Sequence, residues 1–214
     1  MLKITFPDGN FKDYKVGVTG IQIASDISKS LAKEAIAIIV DGIEKDLSDP
    51  ILESSPVTII TIKDKAGLDI MRHTIAAQVL ARAIKNIYPE ACLAIGPTVD
   101  DGFYYDVLFK KPISIDDLSK IEDEMRKIKK EGHKIHKKIK TKDEVLKLFR
   151  DRKEPYKVKI IEDSDQKDNF QIYQQGEINF FDLCRGPHLQ NLNQVGEFKL
   201  TKLSGAYWRG DSKN

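Results

Sequence analysis

Leu2-Lys3-Ile4-Thr5-Phe6-Pro7-Asp8-Gly9-Asn10 opens the chain with an apolar–polar alternation that breaks into a turn, and Phe11 to Val16 alternates again. A period of two marks a strand with one buried face, so this stretch predicts a β-hairpin. Thr19-Gly20 then starts a helical pattern in which Ile23, Ile27 and Leu31 recur at spacings of four, with Ala24 beside them. Ala35 to Val40 reads as a short apolar strand ending in an Asp41-Gly42 turn, and the β-branched run Val57 to Ile62 closes the unit. Hairpin, helix and further strands in this order predict a small α+β roll with one helix packed on a sheet.

Beyond it, the polar, glycine-bearing Lys63-Asp64-Lys65-Ala66-Gly67 marks a boundary that divides the chain into residues 1–62 and 63–214. A long helical pattern runs from Leu68 to Tyr88 and is stopped by Pro89. His73, Ala77, Leu80, Ile84 and Ile87 share one face of it, which turns His73 toward the interior or a cleft. Cys92 to Ile95 and Phe103 to Phe109 read as strands around Gly96-Pro97 and an Asp100-Asp101-Gly102 turn. Two capped helices follow: Ser114 three before Asp117, and Thr141 three before Glu144, each ahead of an apolar stripe. The basic stretch Lys127 to Lys142 lies between them, with His133 and His136 as surface residues. Lys157 to Ile161, Phe170 to Tyr173, Phe180 to Cys184 and Glu197 to Lys202 are expected to be strands of a second sheet.

The 214 residues suit two small domains. A mean hydropathy of -0.38, with no apolar run near membrane-spanning length, excludes a helical span. The opening residues lack a signal-peptide pattern, so a cytoplasmic location is expected. Two cysteines, Cys92 and Cys184, exclude a disulfide scaffold. The formal charge of +2 hides a division: residues 110–159 hold 18 basic and 10 acidic residues, a net +8. Such a segment is either a polyanion-facing surface or a solvated lysine-rich face.

Cys184-Arg185-Gly186-Pro187-His188 is the densest chemical candidate. A thiol and an imidazole brought together by a turn can form half a metal site, a polar pair that positions water, or a buried cysteine beside a hydrogen-bonded histidine. Asp182, two residues earlier, would share the strand face of Cys184, and Arg185 adds a fixed positive charge. No GxxxxGK[ST] or GxGxxG string occurs, so no recognised phosphate loop is present. Tyr207-Trp208-Arg209, in a polar tail, could stack an unpaired nucleotide.

Several strings in order resemble one family. Arg72-His73, Ile95-Gly96-Pro97, Asp101-Gly102-Phe103-Tyr104-Tyr105-Asp106, Tyr156-Lys157-Val158, Asp182 to His188 and Gly205 to Ser212 look like the N-terminal half of bacterial threonyl-tRNA synthetases. The resemblance implies an α+β chain with a ubiquitin-like β-grasp TGS domain at 1–62 and, at 63–214, an editing domain shared with alanyl-tRNA synthetases. It implies hydrolysis of mischarged seryl-tRNA(Thr) at the ester to the terminal adenosine, and tRNA(Thr) as partner, with 110–159 as candidate contact surface. By the same resemblance His73, Lys157, Cys184 and His188 would be catalytic. Asp182, Gly96, Tyr104, Tyr105 and Arg185 would bind substrate, Asp182 by holding the seryl amino group. Aminoacylation with ATP, magnesium and zinc would belong to a catalytic core beyond Asn214; the full enzyme would be a homodimer and this region a monomer. The family's H-x-x-x-H string here reads His73-Thr74-Ile75-Ala76-Ala77. Related editing domains hold zinc with two such histidines plus the cysteine and histidine of C-x-x-x-H. Only His73, Cys184 and His188 remain here; three ligands could still hold a catalytic zinc with water, but no cofactor is expected for this region. Ala77 leaves a second reading, a tRNA-binding module with an impaired site.

Overall fold

The hairpin is present: β1 (Leu2–Thr5) pairs antiparallel with β2 (Phe11–Tyr14) in a computed structural model that describes residues 1–205. The tail cluster Tyr207-Trp208-Arg209 lies outside those residues. Helix α1 (Gly20–Ile27) starts at a capping box between Thr19 and Gln22. It ends earlier than the apolar spacing predicts, because Ser28 turns extended and caps a second helix, α2 (Lys29–Glu34), which carries Leu31. Strands β3 (Ala35–Val40), β4 (Ile43–Asp46) and β5 (Ser55–Thr61) complete a five-stranded sheet in the order β2-β1-β5-β3-β4. Asp41 and Gly42, both at positive φ, make the tight β3–β4 turn.

An unbroken apolar run is what a strand covered on both sides requires, and β3 is such a strand. Ile38 and Val40 pack with Ile4, Ile23 and Leu47 in the first core, whereas Ile36 joins Ile60 in the larger core that follows. Residues 1–62 and the described residues beyond them therefore share a packed core.

The long helix forms in three parts: α3 (Lys65–Thr74), a π-helical stretch (Ile75–Leu80) and α4 (Ala81–Ile87). Three residues separate β5 from its first residue, Lys65, and Gly67 packs so closely on β5 that a Cβ would sit 1.9 Å from the Thr61 carbonyl oxygen. The widened π stretch is held from outside, as Gln175 Nε2 donates to the Gln78 carbonyl oxygen at 2.6 Å. The segment after Pro89 gives two short ladders, β6 (Cys92–Leu93) with β9 (Val107–Leu108), and β7 (Thr98–Val99) with β8 (Gly102–Phe103).

Helix α5 (Asp117–Glu131) buries Ile121, Met125 and Ile128 on its predicted stripe, and α6 (Lys142–Asp151) begins at the predicted Thr141–Glu144 capping box. Between them the basic stretch forms a strand, β10 (Ile135–Lys140), at the edge of a sheet ordered β10-β11-β12 with β11 (Phe170–Gln175) and β12 (Phe181–Leu183).

Two expected strands are not strands. Residues 157–161 lie in helix α7 (Pro155–Glu162), where proline occupies the first turn and Lys157 and Ile161, four apart, share the buried face. Residues 197–202 are irregular: the Leu200 N–H and Lys199 ammonium both bond the Glu122 carboxylate, so this backbone is satisfied by a side chain rather than a ladder. No described helix is long and apolar enough to cross a membrane.

Candidate functional site

Helix α3, the β6–β7 loop, helix α7 and the segment after β12 converge on a cavity of about 940 Å³. Gly96, His73, Tyr105, Lys157, Asp182 and Cys184 line it, and exposed Arg185 stands at its rim. Seven of the nine residues expected at the site thus meet at one cavity.

Lys157 and Asp182 form its charged floor. Their ammonium and carboxylate lie 2.7 Å apart with both side chains almost fully buried. The Tyr105 hydroxyl donates to Asp182 Oδ2 at 2.7 Å and accepts from Lys157 at 3.0 Å, closing a triangle. Burial, followed by the Asp182 charge, holds the Tyr105 phenol protonated far above its ordinary range. Gly96 makes this packing feasible, since a Cβ there would lie 2.3 Å from the Tyr105 ring.

His73 and Cys184 form the second group. His73 Nε2 lies 2.7 Å from Cys184 Sγ, and the imidazole also bonds the Gly96 backbone. Burial lowers the His73 pKa, only partly opposed by Asp182, so the ring is neutral at physiological pH. Donation from its other nitrogen to Gly96 leaves Nε2 as an acceptor, with the thiol as donor. The Cys184 pKa is pushed up to about 12, chiefly by burial, despite the Gly186 N–H that donates to the sulfur. The thiol is therefore protonated, which suits a hydrogen-bond donor and not a thiolate nucleophile.

Two expected residues fall elsewhere. His188 stands behind the cavity wall, 2% exposed, with its ring stacked on His73 at 4.7 Å and 6°. The cis Gly186–Pro187 peptide and the positive φ of Gly186 turn the chain inward there. Its Nδ1 pairs with Thr74 Oγ1 at 3.0 Å, whereas Nε2 has no hydrogen-bond partner among the described residues. Tyr104 points away, 46% exposed, since neighbouring residues of an extended segment face opposite sides. Thr74, Tyr173 and Asp46 back the site and carry no recognisable motif; only their distant partners give them a role.

His73, Cys184 and His188 have ligand atoms within 4.8 Å of one another, so the zinc question can be put to geometry. Thiolate and imidazole on one tetrahedral zinc lie about 3.5 Å apart, and the ion sits in the plane of each ring. Here the sulfur and nitrogen are 2.7 Å apart and the two ring planes are stacked and nearly parallel. This arrangement suits hydrogen bonding and does not fit a shared zinc ion.

The basic segment does not present an unbroken positive face. Lys157 is buried, Lys137 pairs with Asp46 and Asp49, and Lys127, Lys129, Lys140 and Arg150 each pair with a glutamate. Exposed pairs of this kind contribute little stability but offset the local field.

One pH dependence follows from the two histidines. Burial lowers the pKa of both, and His73 depresses that of His188 further. The unfolded chain takes up protons near pH 6.5 that the folded chain refuses. Their contribution is therefore complete above about pH 6.5 and is lost as pH falls toward the folded values. Each proton adds a slope of roughly 1.4 kcal/mol per pH unit. Urea midpoints are expected to fall between pH 7.5 and 5.5, with a shallower fall in His188→Gln.

The TGS domain profile matches residues 2–61, and the threonyl and alanyl tRNA synthetase second additional domain matches residues 171–214. Among curated relatives, the threonine–tRNA ligases of Acetivibrio thermocellus and Bartonella tribocorum are each 44% identical over all 214 residues. That of Francisella philomiragia is also 44% identical over the same length. The chain spans about one third of the length of these relatives, 33%, 32% and 33% in turn.

Proposed function

Since its TGS and second additional domains are joined as in the N-terminal part of threonine–tRNA ligases, the chain belongs to that family, and we propose that its cavity hydrolyses mischarged seryl-tRNA(Thr). The observation that carries this reading is the convergence of Lys157, Asp182, His73 and Cys184, from three separate parts of the chain, on one cavity. Its volume, about 940 Å³, can hold an aminoacylated terminal adenosine.

A discarding site is needed because one methyl group distinguishes serine from threonine by only about 10–200-fold. In the proposed reaction, Asp182 accepts from the seryl ammonium and fixes the ester above Lys157. Water displaces the Cys184 thiol at His73 Nε2 and attacks the ester carbonyl carbon as that nitrogen takes its proton, and the Lys157 ammonium stabilises the oxyanion that forms. The bond to the ribose oxygen then breaks, and that oxygen receives the proton from His73. Until water takes its place, the Cys184 thiol holds the His73 ring in the orientation that this transfer needs. No metal is required, in keeping with the donor geometry.

Within the longer protein this region would serve an enzyme that attaches threonine to tRNA(Thr) with ATP in the cytoplasm. Magnesium and zinc would belong to the catalytic core, and dimerisation to parts beyond Asn214. The 110–159 segment would contact tRNA through those lysines that are not internally paired.

The second reading, tRNA binding without turnover, rests on Ala77, which lines the cavity from the π-helical stretch. Incubation of the chain with seryl- and threonyl-tRNA(Thr) separates the two. The hydrolase reading predicts loss of the seryl ester at least about tenfold faster than of the threonyl ester. Equal loss of both esters, or of neither, would sink it.

A further inference from the structure

The helix that carries His73 changes register before it ends. The sequence spacing sets His73, Ala77, Leu80 and Ile84 on one face, and the structure divides them. His73 and Ala77 line the cavity, whereas Leu80 and Ile84 line a separate groove together with Leu68, Met71 and Ile75. An α-helix continuing from Leu68, Met71 and Ile75 by steps of three and four would bring Val79 and Ala83 to that groove. The π-helical stretch Ile75–Leu80 holds one extra residue in its turn, so the groove face resumes one position later, at Leu80 and Ile84. The shift is seen directly in the Ala81 N–H, which bonds the Ala76 carbonyl five residues back. One position of register is about 100° of rotation. That rotation sends two large aliphatic side chains into the groove and keeps them off the His73 face.

A π turn is rare, and where one occurs inside an α-helix it is frequently at a functional site. This one is held by Gln175, which lies on β11 and is fully buried. Its Nε2 donates to the Gln78 carbonyl oxygen at 2.6 Å and to Gln78 Oε1 at 3.2 Å. Arg82 decides which way this amide faces. A guanidinium only donates, and Arg82 Nη1 lies 2.9 Å from Gln175 Oε1, so the oxygen turns to Arg82 and the nitrogen to the π stretch. Arg82 is fixed in turn by Glu131 at the end of α5, 2.6 Å from Nη2.

We propose that Gln175 is a positioning residue for the hydrolytic site: its amide, aimed by Arg82, locks the π register that gives His73 the cavity face and turns Leu80 and Ile84 away from it. The activity arm of the proposal rests on the hydrolase reading; the register arm does not. His73 lies two residues before the π stretch, and Thr74 between them bonds the His188 ring and the Leu189 N–H. A slip in register therefore pulls on the turn that bears His73. Misplacing a reacting group by about 1 Å can cost about 10²-fold in rate.

The test uses the full 214-residue chain. Gln175→Glu keeps an oxygen for Arg82, but an ionised carboxylate cannot donate to the Gln78 carbonyl. It is expected to lower kcat for seryl-tRNA(Thr) about tenfold with KM within twofold. It should also speed exchange of the Ala81 amide at least tenfold and move the His73 imidazole ¹⁵N signals. A smaller folded fraction lowers kcat without moving those signals, so they separate misplacement from instability. Glu131→Gln leaves the Gln175–Gln78 bond in place and, as control, should match wild type. Should Gln175→Glu fail to fold, Gln175→Met decides, since it removes the donor without adding charge. In the variant that folds, moved His73 signals with kcat reduced at least threefold uphold the proposal. Unmoved His73 signals, wild-type kcat, or equal changes in Glu131→Gln overturn it. If wild type itself does not hydrolyse the ester, the hydrolase reading fails, and the Ala81 exchange and His73 signals then uphold or overturn the role of Gln175.

Discussion

Lys157→Met is expected to destabilise the chain by about 3–5 kcal/mol and to abolish hydrolysis of the seryl ester. Lys157 and Asp182 are paired at 2.7 Å with side chains only 4% and 2% exposed. Removing the cation leaves a carboxylate with the Tyr105 hydroxyl and a backbone N–H as remaining donors, and no cation in contact with it among the described residues. The penalty belongs to the abandoned charge, not to the lost contact alone. Lys157→Met with Asp182→Leu should therefore recover part of the stability, because a buried pair can be replaced by apolar groups at little net cost, less the cost of the Tyr105 hydroxyl left without these two partners. It should recover none of the activity, since both the oxyanion partner and the ammonium acceptor are gone. Urea unfolding of the single and double variants, with the hydrolysis assay alongside, checks both statements. A loss below about 1 kcal/mol in Lys157→Met would place that carboxylate in a surface-like environment, contrary to the geometry.

How far the sequence could be read depended on whether the determining contacts were local. The hairpin, the helix start at Thr19-Gly20, the Thr141 capping box and the α5 stripe were legible, because each rests on residues within a few positions of one another. Strand β10 was hidden: three of its six residues are lysine, it exposes Ile139 while half-burying Lys137 and Lys140, and so no apolar alternation stands out from the charged run. Helix α7 was mistaken for a strand because Val158, Ile160 and Ile161 favour β structure, although Pro155 in its first turn was the available signal. The site divided along the same line. Asp182, Cys184 and His73 stand in recognisable strings. Asp46 and Tyr173 do not, since their importance comes from meeting residues 142 and 127 positions away. His188 was placed in the cavity by its motif, but the turn at Gly186–Pro187 carries it behind the wall. A motif can bring residues into one region without deciding which of them touches substrate.

His73→Gln and Cys184→Ser should differ sharply in activity although their side chains touch. In the proposed reaction His73 carries the proton from water to the ribose oxygen, and glutamine cannot. Loss of such a proton carrier lowers rates by about 10²–10⁴-fold, so kcat for the seryl ester should fall at least 10²-fold with KM little changed. Cys184 is different because its pKa is pushed up to about 12, leaving the thiol protonated over the working range. Its task is to hold His73 Nε2 by donation until water takes its place, and a serine hydroxyl can still do that. Cys184→Ser is therefore expected to retain activity within about fivefold, whereas Cys184→Ala, with no donor, should fall further. A thiolate nucleophile or metal ligand would reverse this ranking, because serine at its ordinary pKa replaces neither. The pH profile gives an independent check. Activity that needs neutral His73 should rise through a pKa below 6.5 and stay level through pH 8. A limb rising between pH 8 and 9, absent in Cys184→Ser, would instead assign the chemistry to the sulfur and remove His73 from the role given to it.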